Sequence, residues 1–290
     1  MILNTDLKPR ILRISGGEIN VTPIPLRRDD DLSPWCYTAN LTPPIVVDND
    51  DFNDDDDSNP SIPTPTPLLQ PGTNFLATQV WPSSRIASKV IEQHMDPSWT
   101  ICELGCGPGL PSLTAARSGA SRVIATDVDP IALELVRAAA IKQGMIESGN
   151  IVNDATERFS TRIFDLTSKD NLLPEADLYI LSDVFESSAV AEGAAWHVQT
   201  VLSKNRSQIN NAQGDLTPLE EKEQSTSRVW VFAQSDRAQR DFFLRQMKEW
   251  YKNNDNYMLP RHLDWTMDHV PDHNNELWLF DLDETTVEYN

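Results

Sequence analysis

The residues best suited to chemistry gather in WTICELGCGPGLPSL (Trp99 to Leu113), where Glu103 precedes three alternating glycines, Gly105, Gly107 and Gly109. An apolar run that breaks into glycines and resumes at helical spacing reads as a strand turning into a helix. Such a turn brings backbone N–H groups and a positive helix end close to a ligand. The dinucleotide fingerprint G-x-G-x-x-G fails here, because its third glycine would fall on Leu110. The actual spacing is acid-x-G-x-G-x-G, and Glu103 at the strand end can receive a ligand's ammonium group. About twenty residues on, RVIATDVD ends a second strand at Asp127, where a carboxylate can accept both hydroxyls of a ribose. Together these residues describe a site for a nucleoside with an amino-acid tail, as in S-adenosylmethionine. A third acid, Asp183, ends the apolar run of ILSDVFESS at the carboxyl edge of the expected sheet, with Glu186 three residues beyond.

The elements that must hold these residues follow from hydrophobic periodicity. Strands are expected at Trp99–Leu104, Arg122–Asp127, Arg162–Leu166, Ala176–Asp183 and Arg228–Gln234, and helices at Ser83–His94, Leu110–Ser118, Pro130–Gln143 and Arg237–Trp250. This alternation predicts an α/β fold, a doubly wound Rossmann-like sheet of seven mostly parallel strands. ELWLFDLDE (Glu276 to Glu284) follows without an intervening helix and is expected to pair antiparallel with an extended piece near residues 258–265. Residues 1–47 read as a β or extended arm. Residues 48–72, acidic and then proline-rich, bury too little apolar surface to order and read as a disordered insert. Residues 73–290 form the main domain, interrupted by a polar surface loop at 203–227. Arg237, Arg240 and Arg245 with Phe242 and Phe243 read as one amphipathic helix against the sheet.

Composition narrows the partners. The 290 residues carry a formal charge of −20, and the excess is not one tail's: the first 70 residues hold twelve acids and five bases, and the rest remain strongly acidic. Nucleic-acid binding relies on Lys and Arg neutralising phosphates, so neither nucleic acid nor an anionic membrane is an expected partner; a protein with a basic surface suits this field better. No apolar run is long enough to span a bilayer, and the first residues lack a secretory pattern. Cys36, Cys102 and Cys106 form no CxxC pair and suit a reducing compartment. A cytoplasmic monomer is expected, with a mitochondrial address as the weaker alternative. The donor-rich RHLDWTMDHVPDH (Arg261 to His273) completes no defined metal geometry, and no metal is expected.

Glu103, the three glycines and Asp127 resemble the signature of the seven-strand class I methyltransferase family. ATQVWPSSRIASKVI (Ala77 to Ile91) ahead of ICELGCGPGLPSLTAARSGASRVIATDVDPIALELV is similar to its branch of small protein-lysine methyltransferases, including those of the electron-transfer flavoprotein β subunit. The resemblance covers about Phe75 to Thr200. It implies S-adenosylmethionine as cofactor and N-methylation of a protein side chain, a lysine. It also implies that Trp81 lies beside the cofactor and that Asp165 reaches the adenine amino group. Leu166, where the family commonly has an aromatic, would pack on the adenine ring, and Ser182 joins the cofactor-binding set. The branch carries Asp-x-x-Tyr after its fourth strand; here Asp183 and Glu186 hold those positions as the catalytic pair. Two other readings fit the same residues: a small-molecule N- or O-methyltransferase, and a non-catalytic protein that binds S-adenosylmethionine to interact with a partner.

Overall fold

A computed structural model describes residues 10–14, 17–27, 33–39, 75–146, 158–214, 226–254, 263–265 and 277–282. Three strands come first: β1 (Arg10–Ile14), β2 (Gly17–Pro25) and β3 (Trp35–Ala39) form an antiparallel sheet in that order. The alternation that buries Ile19 and Val21 on one side of β2 packs this sheet onto the main core. Polar contacts fix it there. The Gln143 amide exchanges hydrogen bonds with the Trp35 backbone, donating to its carbonyl at 2.8 Å and accepting from its N–H at 3.2 Å. Arg85 donates to the carbonyls of Pro25 and Leu26, both at 3.1 Å.

The main sheet contains six strands among the described residues: β4 (Thr100–Leu104), β5 (Arg122–Asp127), β6 (Phe159–Ile163), β7 (Leu178–Ser182), β8 (Arg228–Gln234) and β9 (Leu277–Leu282), ordered β6-β5-β4-β7-β8-β9. All neighbours run parallel. Strands so placed must be apolar on both faces. In β8, Trp230 and Phe232 join the core beneath α1 (Pro82–His94), α2 (Leu110–Arg117) and α3 (Pro130–Lys142), while Val229, Val231 and Ala233 join the core beneath α4 (Ser188–Gly214) and α5 (Ala238–Asn253). The strand order reverses between β4 and β7, which opens a crevice at their carboxyl ends.

Three expectations are corrected. The last strand is parallel, not antiparallel: β9 pairs with β8 in the register Val229↔Leu277 to Gln234↔Leu282, because α5 returns the chain to the starting edge before β9 begins. Of its expected partner, Leu263 to Trp265 lie outside any strand, and residues 258–262 lie outside the described residues. The stretch from Ser203 begins not as a loop but as the continuation of α4 to Gly214, its buried Val201, Leu202 and Asn205 still facing the sheet. The strand expected at Arg162–Leu166 is instead Phe159–Ile163, because fully buried Phe159 pairs beside Val123. Asp165 and Leu166 consequently stand in the turn that follows. The acidic insert 48–72 and most of the donor-rich stretch 261–273 lie outside the described residues.

Cys36, Cys102 and Cys106 are free and buried, and burial raises each thiol, so they pack as small apolar groups. No helix among the described residues is long and apolar enough to cross a membrane.

Candidate active site

At the crevice lies a cleft enclosing about 940 Å³ out to its open mouth. Trp81, Gly105, Gly107, Asp127, Asp165, Leu166, Ser182, Asp183 and Glu186 all line it, brought together from the N-terminus of α1 and the ends of β4, β5, β6 and β7. Glu103 and Gly109, equally singled out by sequence, do not.

The glycine turn is shaped largely by the protein itself. Gly109 adopts φ +71, and a Cβ there would come within 2.5 Å of the Val136 side chain on α3. Part of the demand for glycine is therefore close packing of the turn against a helix. The turn's donors are also engaged internally: Cys106 N–H donates to Thr126 O, Gly107 N–H to Asp127 Oδ2 and Gly109 N–H to Cys106 O, each at 2.8 Å, while Pro108 has no N–H. A pyrophosphate would find no donor in residues 106–109. A nucleoside without phosphates fits this turn.

Asp127 braces the same region. Its Oδ2 takes Gly107 N–H and its Oδ1 takes Asp129 N–H at 2.8 Å, leaving one lone pair on each oxygen for a ligand. Burial pushes its carboxyl up to about 6, against the pull of those backbone donors. Exposed Val128 follows it on the cleft wall, and Phe164, whose N–H donates to Asp127 O at 2.9 Å, leads into Asp165 and Leu166 on the same wall. Asp165 accepts from Thr167 N–H at 2.8 Å and Thr167 Oγ1 at 2.7 Å, which closes the turn after β6 and fixes where Leu166 faces.

Glu103 has a different setting. It is 1% exposed, and its Oε2 accepts from Ser112 N–H at 2.9 Å and Ser112 Oγ at 2.5 Å, tying β4 to the first turn of α2. Burial pushes its carboxyl up to about 8, against the pull of the two Ser112 donors. The unfolded carboxyl titrates near 4.5, so the native state holds the extra proton between the two values and stability must fall as pH rises across that window. Raised Asp127 adds the same sign lower down. Glu103→Gln should remove its share of the decline: in denaturant titrations the variant gains on the wild type from about pH 5 to pH 8 by a few kcal/mol at most. Parallel pH profiles would contradict this.

Asp183 is held in the left-handed region at φ +57, the one such non-glycine among the described residues. Its side chain is fully buried. Oδ1 accepts from Arg237 Nε at 3.3 Å and from Gln234 N–H at 3.4 Å, whereas Oδ2 has no partner among the described residues. Burial raises its pKa against the pull of Arg237. Ser182 sits in a cluster of buried hydroxyls, 3.3 Å from Ser84 Oγ and 3.2 Å from Ser83 Oγ, that joins β7 to α1. Glu186 is exposed at the rim.

Arg237 escaped the sequence reading, which took it for part of an amphipathic face. It precedes α5, lines the cleft, and lays its guanidinium over the Trp81 ring at 4.6 Å from the centroid. The available signal was its position three residues past the end of β8, again a carboxyl end of the sheet. Among the described residues no group of three or more His, Cys, Asp or Glu is placed to hold a metal.

Comparison with known proteins bears directly on this arrangement. Residues 68–239 match the model of the ribosomal protein L11 methyltransferase (PrmA) family, more than half of the chain. The chain belongs to that family. Family members include the ribosomal protein L11 methyltransferase of Dechloromonas aromatica, 36% identical over 27% of this chain and 26% of its own. That of Ralstonia pickettii is 27% identical over 67% of this chain and 70% of its own. The chain thus spans about a quarter of the first relative and more than two thirds of the second. A solved ribosomal protein L11 methylase from Lactobacillus delbrueckii subsp. bulgaricus aligns at 18% identity over 34% of this chain and 45% of its own, with a TM-score of 0.27. This is a family of S-adenosylmethionine-dependent methyltransferases, and the phosphate-free nucleoside site fits that cofactor.

Proposed function

We propose that this PrmA-family protein transfers the methyl group of S-adenosylmethionine to a side-chain amine of a protein, a lysine. The observation that carries the reading is the pairing of two features in one cleft: a turn whose residues 106–109 offer no donor to phosphate, and ionisable Asp127 and Asp183 on either side of it. The bound cofactor supplies a methyl group on a positively charged sulfur, so its leaving group is already activated and no protein nucleophile is needed. Asp127 anchors the ribose, and Leu166 and Val128 offer apolar surface for adenine. The chain then has to hold the neutral amine in line and exclude water. Asp183 Oδ2, buried and without a partner among the described residues, accepts a hydrogen bond from that amine and offsets the charge that grows on nitrogen. Exposed Glu186 draws cations toward the rim.

A protein acceptor is favoured over nucleic acid by the charge of −20 and by the family, whose curated members are named for a ribosomal protein. The narrower likeness to small protein-lysine methyltransferases rests on the segment Ala77 to Ile91 with its Trp81, on Leu110 and Pro111 after the glycines and on the stretch SGASRVIATDVDPIA, while Glu186 stands in place of the branch's tyrosine.

Calorimetric titration with S-adenosylmethionine, S-adenosylhomocysteine and NAD tests the cofactor: micromolar binding of the first two and none of the third is expected, and the reverse pattern would sink the reading. The acceptor role is tested with Asp183→Asn, since asparagine tolerates the left-handed backbone. S-adenosylhomocysteine affinity should stay within about threefold while methyl transfer to a basic protein acceptor, ribosomal protein L11 included, falls by about a hundredfold, the loss of one charged contact made in the transition state. An equal loss of cofactor binding would place Asp183 in the cofactor site instead.

A further inference from the structure

Arg237 sits where its chemistry suits neither the helix it precedes nor the carboxylate it touches. A cation at the N-terminus of α5 opposes the helix dipole. Its contact with Asp183 uses a single donor, Nε, at 3.3 Å, although a guanidinium beside a carboxylate ordinarily engages it through two short parallel bonds. Asp183 is left with two long contacts on Oδ1 and none on Oδ2 among the described residues, a poor settlement for a fully buried carboxyl. Meanwhile the guanidinium lies over the Trp81 ring, and its side chain is still 25% exposed to the cleft. An aromatic face and a carboxylate converging on one point make a cation site. Here the chain's own arginine fills it.

Resting on the proposed function, we infer that Arg237 is a specificity-determining gate that occupies the acceptor's place: the Trp81–Asp183 pair is the subsite where the acceptor's head first docks as a cation, and a side chain carrying an ammonium or guanidinium group must displace Arg237 to enter, a docked ammonium then giving up one proton to solvent to become the neutral amine that is methylated. Only an acceptor able to offer Asp183 a better-aligned donor than Arg237 Nε wins the exchange, so uncharged small molecules are rejected at this step. The displaced guanidinium swings toward the mouth of the cleft, where exposed Glu186 stands.

The test uses the full chain and two probes, n-butylammonium and ethylguanidinium chloride, titrated with and without saturating S-adenosylhomocysteine and followed by thermal unfolding against matched potassium chloride. An internal occupant lowers apparent affinity by the fraction of time the site is filled, so Arg237→Ala should respond at about tenfold lower probe concentration than the wild type. Arg237→Gln, which keeps the stem packed on Trp81, should respond as Arg237→Ala does, guarding against a folding defect. Arg237→Lys should resemble the wild type, because a lysine refills the site. Adding Asp183→Asn to Arg237→Ala should abolish the response. With an acceptor protein, Arg237→Ala should lower KM for the acceptor. A wild type that responds within about twofold of Arg237→Ala, or a response that survives Asp183→Asn, overturns the gate. Failure of S-adenosylhomocysteine to bind while the cation response follows this pattern overturns the methyltransferase reading and leaves the cation subsite standing.

Discussion

Asp127→Ala is expected to weaken S-adenosylhomocysteine binding by at least about a hundredfold, since two lost hydrogen bonds to a charged acceptor are worth about 1.5 kcal/mol or more each and 1.4 kcal/mol is a factor of ten. The effect is compounded at the protein's expense. Without the carboxylate, the N–H groups of Gly107 and Asp129 lose their acceptor, so the glycine turn and the cap of α3 loosen together. Asp127→Asn should be nearly as damaging, because an amide keeps one acceptor oxygen and turns its NH2 donor toward the second of the two backbone N–H groups. The wild type should show the matching pH dependence. Binding uses the ionised form, which dominates above about 6, so affinity should fall as pH drops through that value. Calorimetry across the range measures both, and an Asp127→Ala protein that binds within tenfold of the wild type would remove Asp127 from the cofactor site.

Gly193→Ala should destabilise the protein by about 2–3 kcal/mol or more, a fall of about 5–10 °C in Tm, where an ordinary glycine-to-alanine change inside a helix gains about 0.5–1 kcal/mol. The sign reverses because α4 lies against the turn after β6. A Cβ on Gly193 would stand 1.9 Å from the Leu166 carbonyl oxygen and 3.0 Å from Thr167 Cα, and backbone cannot rotate aside as a side chain would. One helical turn on, the ring of buried His197 packs tilted against Phe164, centroids 5.1 Å apart, so the same helix face holds both ends of the turn. Residues 164–167 form one wall of the cleft, and whatever shift the alanine forces should also weaken cofactor binding. Thermal unfolding and calorimetry on one preparation measure both effects. A stabilised Gly193→Ala would show that the turn has room to retreat.

Glycine spacing, acid placement and strand–helix alternation in the linear chain determined the strand-turn-helix at Glu103 to Leu113, the second acid at Asp127 and the parallel character of the sheet, because each follows from local rules: backbone freedom at glycine, continuous apolar runs alternating with helical periodicity, and a proline-started helix. The acids at strand ends were legible for the same reason, since a carboxyl end of a parallel strand is a position in sequence as much as in space. What approaches the glycine turn was not. Val136 packs against Gly109, the turn's own N–H groups are engaged, and Glu103 faces Ser112 instead of the cleft; each depends on a partner that local pattern cannot name. The direction of β9 likewise depended on where α5 delivers the chain, not on the apolar alternation of Leu277–Leu282, which is the same for either direction. Arg237 is the sharpest case. Its place in a helical pattern fitted an amphipathic face, and only the convergence of β7, β8 and the start of α1 sets its guanidinium between Trp81 and Asp183, residues distant in sequence that the folded sheet brings within one side chain's reach.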